Sequence, residues 1–150
     1  SARDFTEPIS KHSFKFLSDL LKDGFGEEKW FHCLVVEPVP AEQTQKKTPR
    51  LIGYILWYYT YMWNGRTMYV GDIYVREKWR ARGVGSALWK QAGKMGYEMG
   101  CRNMVWTCLK DNKSAMCFYE KLGGVNLTTT QGWNTYRMEH PEMKKLIGHS

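Results

Sequence analysis

Residues 77–90, EKWRARGVGSALWK, set two arginines against two glycines at a point where the sequence changes character. The stretch before them, TMYVGDIYV, reads as a strand, and the stretch after them is spaced as a helix. A strand, a glycine-rich turn and a helix start make an anion site. The first helical turn carries backbone N–H groups without partners, and the helix dipole adds partial positive charge there. Glycines let a backbone approach a phosphate closely, and arginines bring charge and paired donors. The residues concerned are Arg80, Arg82, Gly83 and Gly85, with Ser86 in the first turn. Neither common phosphate loop is matched: no Gly-Lys-Ser/Thr follows, and the third residue past Gly85 is Leu88. Spacing alone leaves two readings open, a phosphate cradle or a basic turn whose glycines serve tight helix packing.

The elements that must position this turn follow from the rest of the chain. Its 150 residues suit one domain spanning 1–150. A 43% hydrophobic and 15% aromatic composition supports a core and excludes disorder. The net charge of +7 favours anions: nucleic acid, acidic lipid or a phosphorylated small molecule; a merely soluble basic surface is the plainer alternative. Cys33, Cys101, Cys108 and Cys117 form no C-x-x-C and no zinc-type spacing, so no metal site is expected. Three of the four lie in apolar patterns and read as reduced core thiols of a cytosolic or nuclear protein, the cytoplasm being the expected compartment. No signal peptide and no membrane-spanning apolar run is visible, so no membrane partner is expected.

Apolar spacing predicts a helix over 10–22, closed by Gly24 as a C-cap glycine. Strands are expected at 30–37, 51–63 and 66–75, with Asn64-Gly65 as a hairpin turn. Gly71, inside the third strand, marks a bulge or a close backbone approach. A helix over 84–99 carries Val84, Leu88, Ala92, Met95 and Met99 on one face and stops at Gly100. A strand at 103–110, a helix at 112–123 capped by Asn112 or Asp111, a last strand at 133–139 and a weakly helical tail complete the chain. The residues 38–50 read as a polar loop. The order makes a single α/β or α+β domain with a mixed sheet.

Arg80-x-x-Gly83-x-Gly85 after a strand resembles the acetyl-CoA pyrophosphate loop of the GCN5-related N-acetyltransferases (GNAT). Downstream, DNKSAMCFYEKLGG is similar to the family's Asn-x-x-Ala-x-x-Phe-Tyr-x-x-x-Gly element, matched by Asn112, Ala115, Phe118, Tyr119 and Gly123. Residues 22–37, 58–61 and 132–133 further resemble its diamine (spermidine/spermine) branch, which includes thialysine acetyltransferases. The resemblance runs from about residue 10 almost to the C-terminus.

The resemblance implies the GNAT acyl-CoA N-acyltransferase fold, a mixed, mostly antiparallel sheet flanked by helices. It implies acetyl-CoA as cosubstrate, a small-molecule amine as acceptor and a homodimer. It implies that the strands 66–75 and 103–110 splay apart, with the pantetheine arm between them against Ile73, Tyr74 and Val75. The pyrophosphate is then expected on Arg80, Ala81, Arg82, Gly83, Val84, Gly85 and Ser86, with Asn112 and Ala115 also on the cofactor side. The reaction would be direct acyl transfer from acetyl-CoA to the amine, needing an acceptor for the ammonium proton, a donor for the oxyanion and an acid for the leaving sulfur. A backbone N–H near Ile73 is the candidate oxyanion donor and Tyr119 the general acid; a packed aromatic is the alternative for Tyr119.

Three departures from the branch bear on the acceptor side. Gly71-Asp72 stands where the branch has Glu-Asp, so the proposed relay glutamate is absent; Asp72 remains, either as a base through water or as an amine-binding or structural carboxylate. The hairpin YMWNG lacks the branch's acidic residue. It offers instead Tyr59, Tyr61 and Trp63, with Trp133 further along, for cation–π contact or for packing; Trp63, Trp133 and Asp72 are the candidate substrate contacts. The family opens with a strand and a helix that this chain lacks, so the acceptor wall is expected to be incomplete. Beside the amine acetyltransferase stand two alternatives: a CoA-binding module without chemistry, and a basic nucleic-acid binder. Scattered basic residues and the lack of a binding motif argue against the latter, so no nucleic-acid partner is expected.

Overall fold

The aromatic and β-branched run after residue 50 and the Thr-Met-Tyr-Val run that follows it are sheet formers, and they become the centre of the sheet. The computed structural model describes residues 11–39 and 51–148. Strands β1 (His32–Val36), β2 (Gly53–Met62), β3 (Gly65–Val75) and β4 (Asn103–Trp106) lie in that order in one sheet. β1, β2 and β3 are antiparallel, and β4 runs parallel to β3. The mixed, mostly antiparallel sheet is as expected. Among the described residues, helices α1 (Lys11–Phe25), α2 (Val84–Glu98), α3 (Lys113–Lys121), α4 (Leu127–Gln131) and α5 (His140–Leu146) accompany the sheet, with a 3-10 turn at Glu77–Trp79. The chain divides into two compact units, Ser1–Thr107 and Cys108–Ser150.

In the first unit α2 covers one face of the sheet. Ile55 and Trp57 of β2, Met68 and Val70 of β3, and Leu88, Trp89 and Ala92 of α2 are buried there. Full burial of each large apolar side chain contributes about 1.5–3 kcal/mol. Gly96 sets the spacing, because a Cβ at that position would lie 2.8 Å from Met68 Sδ. The buried stripe of α2 is Leu88, Trp89, Ala92 and Gly96, while Met99, expected on it, is half exposed. Gly100 ends α2 with φ +74°, as expected.

The hairpin forms one residue earlier than Asn-Gly suggests. Met62 pairs with Gly65, so Trp63 and Asn64 make the turn. Among the described residues only Ala81 has a positive φ outside glycine, and Gly65 has φ +111°. The twist is therefore taken up by Gly65 after the turn and not by a mirror-image turn centred on it.

Other expectations are corrected. Gly24 is not a C-cap: α1 continues to Phe25, and Gly24 is small because a Cβ there would lie 2.5 Å from the Phe31 ring. β4 stops at Trp106, not residue 110, and its pairing with β3 ends opposite Val70. Residues 133–139 form no strand; Tyr136 is 89% exposed, and the stretch has no ladder partner among the described residues. The polar run before them instead folds as α4, capped by Asn126, whose side chain accepts from the N–H groups of Thr128 and Thr129. All four cysteines are free thiols, but Cys33, Cys108 and Cys117 are exposed and not core residues. Most of the loop 38–50 lies outside the described residues. Among the described residues no helix is long and apolar enough to cross a membrane.

Candidate active site

The central irregularity of the sheet is at Gly71. Trp57 pairs with Val70, but its neighbour Leu56 pairs with Asp72, so Gly71 is an extra residue on β3. This is the bulge the sequence suggested. Pairing between β3 and β4 also ends at Val70, so from Gly71 to Val75 the far edge of β3 has no strand partner among the described residues. Arg76 N–H donates to Ile52 O at 2.8 Å. In an antiparallel ladder successive residues alternate between the two edges. Tyr74 and Asp72 therefore turn their backbone groups toward β2, and Ile73 and Val75 turn theirs to the open edge. Val75 O lies there accordingly and accepts from Arg80 Nε at 2.9 Å.

The open edge runs straight into the arginine–glycine turn. Arg80 follows the 3-10 turn, its guanidinium 5.8 Å from the centre of the Tyr74 ring. Arg82 lies 5.3 Å over the Trp79 ring. Both arginines are exposed yet oriented. Ala81 between them has φ 59°, a conformation costing about 1–2 kcal/mol for a side chain with a Cβ. Gly83 caps α2 with φ 81°, no side chain caps the helix, and a Cβ on Gly83 would meet nothing within 4 Å. Ala87 N–H donates to Gly83 O at 2.9 Å and closes the first helical bond. The N–H groups of Val84, Gly85 and Ser86 therefore precede the ladder and point out of the helix start. Two guanidiniums, a dipole terminus and an unobstructed glycine meet in one place, and such a surface fits a phosphate-bearing ligand.

Beside the bulge, on the face of the sheet opposite α2, lies a polar cluster that the sequence did not reveal. Tyr54 O–H donates to Asp72 Oδ2 at 2.5 Å. Burial, the bond to Asp72 and the Asp72 charge push the Tyr54 hydroxyl well above the usual phenol range. Cys33 is exposed as a residue, but its thiol is partly desolvated, and that partial burial first and the Asp72 charge second push it up. The Tyr54 and Tyr74 rings stand 6.1 Å apart. Asp72 itself is exposed. Register would have brought Tyr54 and Asp72 together, but only with the bulge placed at Gly71, since the one-residue shift there is what makes them diagonal neighbours on one face.

Trp63 is elsewhere. It lines an open concavity of about 440 Å³ at the hairpin with Tyr61, Asn64, Arg66 and Arg102. Seven strand residues, Gly65 to Gly71, lie between the turn and Asp72, roughly 23 Å at ~3.3 Å per residue. The structure does not bring these two together. Tyr59 packs against His32, ring centres 5.0 Å apart.

The second unit carries the other motif. Asn112 caps α3, its Oδ1 accepting from Ala115 N–H at 3.1 Å, which decides the cap left open between Asn112 and Asp111. Phe118 and Tyr119 are half-buried and meet edge to face at 5.4 Å. Gly123 has φ +89° just past the helix. Trp133 donates from Nε1 to Gln131 Oε1 at 2.7 Å and is 55% exposed.

The profile of the Acetyltransferase (GNAT) family matches residues 3–124. Thialysine N-epsilon-acetyltransferase of Bos taurus is 38% identical over 130 residues, 86% of this chain and 76% of its own length. Spermidine/spermine N(1)-acetyltransferase-like protein 1 of Homo sapiens is 29% identical over 128 residues, 84% of this chain and 18% of that protein. Among solved structures, AAC(6')-Iy in complex with the bisubstrate analog CoA-S-monomethyl-acetylneamine superposes with a TM-score of 0.63 at 18% identity, over 84% of this chain and 80% of that one.

Proposed function

The chain belongs to the acetyltransferase (GNAT) family, and from that premise we propose that it moves the acetyl group of acetyl-CoA directly to a primary amine of a small molecule. The observation that carries the proposal is the open edge of β3, which begins at the Gly71 bulge and runs into the arginine turn and the start of α2. An extended pantetheine arm needs a row of backbone donors and acceptors, which Ile73 and Val75 supply. Its pyrophosphate needs positive charge and free N–H groups at the end of that row. Arg80, Arg82 and the stretch from Gly83 to Ser86 supply those, and Ala81 carries the turn between the arginines. Asn112 and Ala115, which fix the start of α3, belong to the cofactor side by motif position.

The acceptor amine arrives as an ammonium and must lose a proton before it attacks. Asp72, exposed beside the bulge, takes that proton directly or through water. The Ile73 N–H, on the open edge, donates to the oxygen that gains charge as the amine adds to the acetyl carbonyl. Tyr119 returns a proton to the departing CoA sulfur; its place in the family's Phe-Tyr motif supports that role. The amine is thialysine-like in this reading, because the 38% identical relative is named for that substrate. An amino-acid acceptor with a carboxylate also suits a chain of net charge +7 better than a polycation does. Trp133 and Trp63 are the proposed aromatic contacts to the acceptor, the latter only for a long one or across a homodimer.

The test is CoA thiol release with thialysine, lysine, spermidine, putrescine and an arylalkylamine. Turnover with thialysine above the polyamines is expected. Acetyl-CoA binding without turnover on any amine would refute the enzymatic reading and leave a CoA-binding module, which the glycine at position 71 would then explain.

A further inference from the structure

Tyr54 is assigned no part in acyl transfer by motif or by resemblance, yet it makes the one side-chain hydrogen bond to Asp72 found among the described residues. We propose that Tyr54 is a positioning residue: its hydroxyl ties Asp72 Oδ2, fixes the carboxylate's rotamer beside the bulge, and leaves Oδ1 directed to the acceptor amine. The inference rests on the reading of Asp72 as the acceptor-side carboxylate and extends it to a second residue on the neighbouring strand.

Geometry argues for it in three ways. Asp72 is exposed, and an exposed aspartate samples several rotamers unless something holds it. Holding it needs a donor that reaches across the sheet from a fixed strand, and Tyr54 is fixed by its pairing opposite Tyr74 and by the contact of their rings. The donor must also keep its proton. Burial and the neighbouring carboxylate keep the Tyr54 hydroxyl protonated through the range in which an amine acetyltransferase works. A serine or threonine at 54 would be too short to bridge the diagonal spacing of roughly 7–8 Å between the two positions.

The bond changes what Asp72 can do. With one oxygen occupied, the carboxylate has a single defined face for an ammonium or a water, and a near-attack geometry then recurs from one encounter to the next. Loss of the hydroxyl would leave the charge in place and the direction unset. The expected signature is a lower kcat/KM for the amine with acetyl-CoA affinity unchanged.

A double-mutant cycle tests this in the whole chain, using Tyr54→Phe, Asp72→Asn and the pair, with amine kcat/KM and acetyl-CoA Kd measured for each. Tyr54→Phe keeps the ring contacts, and a thermal melt with near-UV circular dichroism checks that each variant folds. Tyr54→Phe is expected to lose about tenfold in amine kcat/KM, of the order of one charge-assisted hydrogen bond. It should lose nothing further in the Asp72→Asn background. Equal losses from Tyr54→Phe in both backgrounds, or no loss in the parent while Asp72→Asn is impaired, would overturn the role of Tyr54 alone. Full activity in Asp72→Asn would overturn the reading of Asp72 itself, and the positioning role with it.

Discussion

Replacing the two arginines separately gives a sharper test of the acyl-CoA slot than replacing both together, because the structure gives them different tasks. Arg82 is exposed, lies over Trp79 and makes no described hydrogen bond to the backbone, so its substitution by alanine removes charge near the helix start and little else. A unit charge about 4 Å from a phosphate at a solvated surface is worth roughly 1 kcal/mol, or about fivefold in acetyl-CoA Kd. Arg80 also holds the Val75 carbonyl at 2.9 Å on the open edge of β3. Arg80→Ala therefore loses a similar charge and a hydrogen bond from a charged donor worth about 1.5–3 kcal/mol. Two charges at roughly 1 kcal/mol each, together with the part of that internal bond's energy that reaches the ligand, should weaken acetyl-CoA by roughly 2–4 kcal/mol, about 30- to 1,000-fold. The assay is calorimetric titration with acetyl-CoA and with S-acetylpantetheine, which lacks phosphate, at low and at 0.5 M salt. Arg82→Ala should leave S-acetylpantetheine binding unchanged, while Arg80→Ala should weaken it by severalfold through Val75. The acetyl-CoA losses should shrink at high salt, where screening is complete within a few ångströms. Equal losses for both ligands from Arg82→Ala, or no loss of acetyl-CoA from either variant, would refute the assignment of this turn to the pyrophosphate.

Tyr119→Phe is expected to cut kcat about 10²- to 10⁴-fold with acetyl-CoA Kd unchanged, the loss typical of a general acid; unchanged turnover removes Tyr119 as the acid. The Tyr54 hydroxyl is raised in the folded chain, so above about pH 10 the unfolded chain releases that proton while the folded chain keeps it. Its contribution is therefore whole below that pH and lost as pH rises. The melting temperature of the parent should fall faster than that of Tyr54→Phe between about pH 10 and 11.5, and parallel curves would contradict the buried, bonded phenol. Cys33 is held up by burial first and by Asp72 second. Asp72→Asn should speed its alkylation at pH 8, read by peptide mapping, while leaving it slower than a free thiol; an unchanged rate would place Asp72 away from the sulfur.

Where one local signal sufficed, the sequence was a sound guide. Gly71 interrupts a strand, and a bulge is there. Gly100 closes α2 through a positive φ, as glycines just past helix C-termini do. Asn112 sits three residues before Ala115 and caps its N–H. The failures came where a partner decides. Residues 133–139 hold Trp133 and Tyr136, yet a strand needs a neighbour, and α4 forms just before them from a capped run of threonines. Gly24 looked like a stop signal, but it is small to accommodate the Phe31 ring. Asn64-Gly65 announced a hairpin correctly and its turn residues one position too late, because the glycine serves the first strand position. Cys33 lay in an apolar pattern but faces away from α2, since alternation along β1 puts Leu34, not Cys33, opposite the buried Ile55.

Asp72 shows why the bulge matters to chemistry and not only to sheet shape. Along β3, Met68 and Val70 point into the core under α2. Strict alternation would send residue 72 after them, burying a carboxylate opposite Ile55, which is fully buried. The extra residue at Gly71 reverses the phase: Ile73 takes the place opposite Ile55, and Asp72 moves to the other face, diagonal to Tyr54. The same residue coincides with the end of pairing to β4, where the open edge begins. One insertion thus exposes a carboxylate, gives it a tyrosine partner and frees the backbone beside it. A Cβ at 71 would meet Leu56 Cδ2 at 3.2 Å and Leu56 O at 3.9 Å, so a side chain there would need the flexible end of Leu56 to give by a few tenths of an ångström. The carboxylate that geometry protects is the one at position 72.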